Sequence, residues 1–226
     1  MKFVIAVPAR GGSKRLPGKN ILSLAGKPLI NHTIDYARKE YPEANVYIST
    51  DSLEIMRVVY NEDCFVIERP ESLSGDYVST AEVLKHLSGE LYKNHIVYDY
   101  MILLQCTNPL RPKNMLREAI ADLCHSNRKC LVSVSPLIMK LGRIENENFI
   151  PWNYCFGQRS QDISPLYYEN GLIYISHFSL IDEGKIINDN PLPFIIDHPY
   201  AQVDIDTIDD FKYAESLINM KNEYNR

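Results

Sequence analysis

The feature that most constrains this chain is the passage from an apolar run, Phe3-Val4-Ile5-Ala6-Val7, directly into Pro8-Ala9-Arg10-Gly11-Gly12-Ser13-Lys14-Arg15-Leu16-Pro17-Gly18-Lys19-Asn20. A buried strand that empties into a glycine-rich basic loop is how α/β proteins present backbone N–H groups to a phosphate. Gly11 and Gly12 lack Cβ atoms, so the loop backbone can come close to a ligand. Ser13 offers a hydroxyl, and Arg10, Lys14, Arg15 and Lys19 crowd four cations into one turn. The formal net charge of the whole chain is -5, so this basicity is local. The competing reading is a solvated basic loop.

Two familiar phosphate loops are excluded. A Walker A loop has four residues between its first glycine and the Gly-Lys pair, followed by Ser or Thr for magnesium. Here five residues separate Gly12 from Gly18, and Asn20 follows Lys19. The Gly-x-Gly-x-x-Gly dinucleotide fingerprint does not occur.

Beyond the loop the chain keeps an α/β rhythm. Leu29, Ile30, Thr33, Ile34, Ala37 and Tyr41 recur at helical spacing, which predicts a helix over 28–41. Val46–Thr50 is β-branched and reads as the next strand, with Asp51-Ser52 capping a helix over 52–61 and a strand at 64–67. Further helices are expected from Thr80 to Lys93, over 112–125 and from Thr207 to Asn219. Tyr100–Leu104 reads as a central strand and Leu131–Ser135 as another. Alternating strands and helices imply βαβ units and a mainly parallel sheet flanked by helices. From 137 to 165 the helical pattern fades into an irregular, β-rich excursion.

At 226 residues the chain is expected to form one domain. An acidic chain does not coat nucleic acid, and no run of eighteen apolar residues suggests a membrane span. Lacking a signal-peptide pattern, it is expected to be cytoplasmic. Five cysteines without a Cys-x-x-Cys motif read as reduced core thiols.

Near the far end, Asp204 and Asp206 alternate along the extended segment Ala201–Asp206, which puts both carboxylates on one face. Two hard oxygen ligands side by side suit Mg²⁺, which keeps several waters and binds substrate phosphates. The alternative is an acidic cluster at a helix start, a role that Asp209 and Asp210 are expected to fill.

The loop from Pro8 to Ile21 resembles the signature loop of the acylneuraminate (sialic acid) cytidylyltransferases, which are similar to the 3-deoxy-manno-octulosonate enzymes. The resemblance covers nearly the whole chain and implies a Rossmann-like nucleotidyltransferase fold. Glu68–Asp76 resembles the family's Arg-Pro-x-x-Leu-x-x-Asp segment, so Arg69 and Thr80 are expected to contact the nucleotide. Without the resemblance they read as a surface charge and a helix cap. Gln105–Arg111 resembles Leu-Gln-Pro-Thr-Ser-Pro-Leu-Arg, with Cys106 and Asn108 departing from it. The resemblance places Gln105 against the sugar, and the lack of an acidic residue in this turn favours the sialate-like branch. Gln158–Asp162, with Tyr167–Ile175, loosely resembles the family's sugar-acid stretch, and Arg159 has the planar fork that suits a carboxylate. The excursion at 137–165 is, in such enzymes, an arm that crosses to a second subunit, which implies a homodimer. A lid over the chain's own site is the alternative.

These parts imply a reaction between CTP and an acidic nine-carbon 2-keto sugar that yields a CMP-sugar and pyrophosphate. Arg10, Gly11, Ser13, Lys14, Lys19, Asn20, Arg69 and Thr80 would bind the nucleotide, and Gln105 and Arg159 the sugar. Asp204 and Asp206 would hold Mg²⁺, with Lys19, Arg10 and Asp206 central to catalysis. Lys19 is expected to be an exposed loop cation that carries little stability. Octulosonate cytidylyl transfer, purine nucleotide chemistry and a non-catalytic nucleotide-binding regulator are the rival readings. The identity of the sugar (N-acetylneuraminate, legionaminate or pseudaminate) is not written in any residue of the chain.

Overall fold

The computed structural model describes residues 1–224. Its elements, in chain order, are β1 (Phe3–Pro8), β2 (Ser23–Leu24), β3 (Lys27–Pro28), α1 (Leu29–Glu40), β4 (Asn45–Thr50), α2 (Leu53–Val59), β5 (Phe65–Glu68), α3 (Thr80–Lys93) and β6 (Tyr100–Leu103). They continue with α4 (Met115–His125), β7 (Cys130–Leu137), β8 (Gly142–Glu145), β9 (Asn148–Pro151), β10 (Leu166–His177), α5 (Phe178–Asp182), β11 (Leu192–Ile195) and α6 (Ile208–Tyr224).

Seven strands form one sheet in the order β11-β7-β10-β6-β1-β4-β5. The pairs β1–β4, β1–β6, β4–β5 and β7–β11 are parallel, whereas β10 runs antiparallel to both β6 and β7. The sheet is therefore mainly parallel and Rossmann-like, with one reversed strand in its interior. Alternation along β1 divides the core. Phe3, Ile5 and Val7 face α1, α2 and α4 on one side, while Val4 and Ala6 face α3 and α5 on the other. A third cluster holds α6 against β2: Leu24, Leu110, Val203, Ile205, Phe211 and Ala214 are buried together.

Element limits move for local reasons. Helix α4 starts at Met115 rather than 112 because Asn114 takes a left-handed φ of 64°. Helix α2 is shorter than expected, and α6 runs past Asn219 to Tyr224. Cys64, Cys106 and Cys130 are buried or partly buried, but Cys124 and Cys155 are exposed, so core thiols describe only three of the five. The excursion contains a two-stranded hairpin, β8–β9, which is not part of the large sheet.

Candidate active site

The parallel strands β1, β4, β5 and β6 all end at one edge of the sheet, and the turns that leave them converge there. That is where open α/β sheets bind ligands, because N–H groups and loop side chains gather beyond the strand ends. The result is a cleft of about 500 Å³. Arg10, Ser13, Lys14, Lys19 and Asn20 line it from the first loop, Arg69 and Thr80 from the turns around α3, Gln105 from the turn after β6, and Asp206 from the segment before α6. Of the residues singled out in the sequence, Gly11, Arg159 and Asp204 do not line it.

The loop cations are pinned by two aspartates from distant parts of the chain. Arg10 Nη1 donates to Asp76 Oδ1 at 2.8 Å, and Lys14 pairs with the other oxygen of the same carboxylate. Arg15 Nη2 and Lys19 Nζ reach the two oxygens of Asp206 at 2.6 and 2.7 Å. Lys14 and Arg10 hold the Asp76 carboxyl below its ordinary pKa. Lys19 is only 8% exposed, which corrects the expectation of an exposed cation. It sits in a short helical turn, Lys19–Ile21, that Gly18 opens at a φ of 64°. Asn20 is buried too, and its side-chain amide donates to the Arg10 carbonyl at 2.9 Å, closing the loop on itself.

Gly11 has another task. Its N–H donates to Asp51 Oδ1 at 3.0 Å, and a Cβ there would fall 2.8 Å from Ser52 Cβ. The missing side chain lets the loop press against the start of α2, and its N–H is already committed to protein.

The turn after β5 corrects both readings made without the resemblance. Arg69 is 6% exposed rather than a surface charge. Its Nη2 donates to the Ser49 carbonyl at 3.1 Å, Nη1 reaches Leu73 O at 3.5 Å, and Nε is buried with no partner among the described residues. Burial pulls its guanidinium below the usual range, opposed by Asp51 at 4.0 Å. Thr80 is not the cap of α3. Ser79 is, accepting from Glu82 N while Glu82 returns a bond to Ser79 N, a complete capping box. The Thr80 hydroxyl is thus not needed for capping and sits on the cleft wall.

A second cavity, of about 440 Å³, adjoins the first, and Gln105 lines both. Asp204 stands on its rim. The expected alternation holds: Val203 and Ile205 are buried, and the aspartates between and after them are not. The start of α6 is capped by Thr207 and Asp210, whose carboxylate accepts from the N–H groups of Asp206 and Thr207 at 3.0 and 2.7 Å. The cap does not use the Asp204 side chain, and the Asp206 carboxylate goes to Lys19 and Arg15 instead. Surrounding protein desolvates Asp204 and raises its pKa, and the charge of Asp206 adds to the rise while Thr107 and Lys19 oppose it. No group of three or more His, Cys, Asp or Glu side chains among the described residues is arranged around a metal.

Arg159 is not brought to either cavity. It is exposed on the excursion, where Nε and Nη2 clasp Asp162 at 2.8 and 3.0 Å. Two supporting residues escaped the sequence reading. Asp76 stood in the recognised segment, but nothing local says that an aspartate will meet cations some sixty positions earlier. Arg111 is buried, and it ties Gln105 O, Leu172 O and Thr33 Oγ1 together at 2.8, 3.1 and 3.2 Å. It fixes the turn that carries Gln105 into the cleft, and its burial lowers its pKa to about 10.

Comparison with known proteins agrees with this geometry. Residues 4–223 match the family model described as Cytidylyltransferase. The chain is 31% identical over 232 residues to a pseudaminic acid cytidylyltransferase of Campylobacter jejuni, covering 99% of each chain. It is 32% identical over 234 residues to a CMP-N,N'-diacetyllegionaminic acid synthase of Legionella pneumophila, again covering 99% of each. Among solved structures it is similar to a CMP:2-keto-3-deoxy-manno-octonic acid synthetase complexed with CTP, with a TM-score of 0.73 and 17% identity over 98% of this chain and 100% of that one. That last likeness concerns the fold.

Proposed function

The chain belongs to the cytidylyltransferase family, among the acylneuraminate-type nucleotidyltransferases, and on that premise we propose that it joins CTP to a nine-carbon 2-keto sugar acid, releasing pyrophosphate. The observation that carries this reading is one of juxtaposition. Four loop cations, two of them bonded to Asp206, share a cleft that Gln105 connects to a second cavity bordered by Asp204. Polyanionic nucleotide and acidic sugar would then lie side by side.

Both reactants are anions, so catalysis is mostly alignment and charge cancellation. Arg10, Ser13, Lys14 and Lys19 grip the triphosphate and stabilise the departing pyrophosphate. Asp76 and Asp206 hold the cations extended beforehand, which lowers the reorganisation needed when phosphate arrives. Asn20, Arg69 and Thr80 seat the nucleoside end, and Gln105 orients the sugar so that its anomeric hydroxyl faces the α-phosphorus in line. Asp204 and Asp206 suit Mg²⁺ as two carboxylates on one face: the Asp204 side chain is not used by the helix cap, and Asp206 would join it once the triphosphate takes over Arg15 and Lys19. When bound, the ion supplies charge neutralisation at the phosphates and a lower pKa for the attacking hydroxyl.

The enzyme works as a homodimer in this proposal. The excursion exposes Ile144, Phe149, Ile150, Trp152 and Phe156, an apolar surface that a second copy would cover. Arg159 belongs to the same excursion and would serve the sugar carboxylate across that contact.

The test is pyrophosphate release with CTP, Mg²⁺ and N-acetylneuraminate, legionaminate or pseudaminate in parallel. CTP-dependent release with at least one of them is expected. CTP binding with no release for any sugar acid would overturn the catalytic reading.

A further inference from the structure

The cavity beside the triphosphate cleft has an unexpected lining for the site of an acidic sugar. Among the described residues no lysine or arginine borders it, whereas two carboxylates, Glu169 and Asp204, do. Asp204 has a place in the proposed chemistry, but Glu169 has none.

The position of Glu169 results from an irregularity in β10. Glu169 pairs with Val134 and Tyr174 with Val132, so five steps along β10 are matched by two along β7. In an unbroken strand, residues five apart point to opposite faces. The bulge cancels that alternation, and the Tyr174 hydroxyl donates to Glu169 Oε2 at 3.0 Å. The fold supports the bulge heavily. Gly171 takes a φ of 73° with Asn108 packed where its Cβ would be. Asn170, at its centre, is buried and bonded to Ser133 and Ser135 at 2.6 and 2.9 Å. Bulges of this kind re-aim side chains next to active sites. Burial and the Glu169 charge both raise the Tyr174 phenol, which keeps it a neutral donor. Among the described residues no hydrogen bond reaches Glu169 Oε1, and no cation pairs with the carboxylate. One acceptor oxygen is therefore left for a ligand, in a cavity that Tyr168 and Tyr174 also line.

We propose that Glu169, held in place by Tyr174, is the sugar-selecting residue of this cavity: Oε1 accepts the N–H of an acylamino substituent while the neighbouring tyrosine rings receive its acyl methyl. The same negative charge repels the sugar's own carboxylate and so fixes which end of the molecule enters. A hydroxyl at that position can turn to solvent instead, so it depends less on Oε1, and it offers nothing to the rings. The inference rests on the sugar-acid reading above and deepens it.

The experiment measures the KM of both substrates for the full-length enzyme and for Glu169→Ala, Glu169→Gln and Tyr174→Phe. The sugar panel is the three acylamino acids, plus the analogue of the best one with hydroxyl in place of acylamino. Glu169→Ala is expected to raise the KM for the acylamino acid about 10- to 100-fold, the usual effect of losing a hydrogen bond to a charged group. The KM for the hydroxyl analogue should change less, so discrimination narrows, and the KM for CTP should stay where it is. Glu169→Gln keeps one acceptor and should recover part of the loss; Tyr174→Phe should weaken selection in the same direction. Equal effects of Glu169→Ala on both sugars, or no effect in the folded Glu169→Ala or Tyr174→Phe variant, would overturn the selecting role alone. Failure of the unmodified enzyme to use any sugar acid would overturn this inference together with the reading beneath it.

Discussion

Replacing Lys19 with Met keeps the side-chain length and removes the charge that Asp206 faces. The ammonium lies 2.7 Å from Asp206 Oδ1 and is nearly enclosed, while Asp206 is about one-third exposed and also holds Arg15. Two unit charges about 4 Å apart attract by about 4 kcal/mol at an effective dielectric near 20. Desolvation of the lysine consumes much of that gain. Solvent and Arg15 remain to stabilise Asp206, so the net loss should be about 1–2 kcal/mol rather than the larger cost of stranding a fully buried ion. For a chain of this size each kcal/mol moves Tm by about 2–4 °C, so a fall of about 2–8 °C is expected by calorimetry. Pyrophosphate release should fall about 10²- to 10³-fold in kcat, the range for losing one preorganised charge partner of the reacting group. A double-mutant cycle with Asp206→Asn isolates the contact, and coupling of about 1 kcal/mol is expected. Zero coupling with unchanged Tm would mean that the pair does not form in solution. Undiminished turnover would remove Lys19 from the machinery.

Asp204→Asn should raise the Tm of the ligand-free protein while abolishing Mg²⁺-dependent turnover, because the folded state raises the carboxyl above its ordinary value of 3.8 and so disfavours its charge at neutral pH. The sign follows from proton binding. The folded chain holds the extra proton above pH 3.8, so stability grows as pH falls through the raised pKa, and the Asn variant should lose that part of the pH dependence; a lower Tm for the variant at neutral pH would refute the assignment. Asn108→Ala removes the amide that bonds Val203 O at 2.8 Å and Asn170 O at 3.3 Å. It should cost about 2–4 kcal/mol by denaturant titration and raise the KM for sugar more than that for CTP; a destabilisation below about 0.5 kcal/mol would show that the amide is not shared. If the excursion joins two copies as proposed, sedimentation should show the unmodified chain as a dimer and Ile144→Asp combined with Phe149→Asp as a folded monomer; a monomeric unmodified chain, or a double variant that stays dimeric, would refute that contact.

The basic glycine-rich loop, the strands at 46–50 and 100–104, the helix from Thr80 and the alternation of Asp204 with Asp206 were legible because each is a local pattern. Strand β1 announces its two-sided burial through successive apolar residues, and Val203 and Ile205 show which way the aspartates must face. Of Asp209 and Asp210, both expected at the helix start, only Asp210 caps it, together with Thr207, while Asp209 pairs with Lys212. The family resemblance added Arg69, Thr80 and Gln105, which purely local reasoning leaves as a surface charge, a cap and a turn residue.

Other features depend on partners far along the chain. Asp76 meets Arg10, and Asp206 meets Lys19, only after the sheet has brought strand ends together. Arg159 looked like a ligand for the sugar by residue type, yet its position on the excursion keeps it from both cavities of its own chain. Strand β10 was not among the strands read from the sequence, and nothing in its residues says that it enters between β6 and β7 in reverse.

The amino-acid order alone therefore determined the class of sheet, the glycine-rich loop with its four cations and the pair of carboxylates facing one way, since steric and hydrophobic periodicity act between neighbours. Tertiary structure decided how deeply Lys19 is enclosed, which aspartates hold the cations and how a bulge aims Glu169 into the second cavity. Those outcomes depend on distances between residues separated by tens to nearly two hundred positions, and desolvation and Coulomb energy are set by such distances.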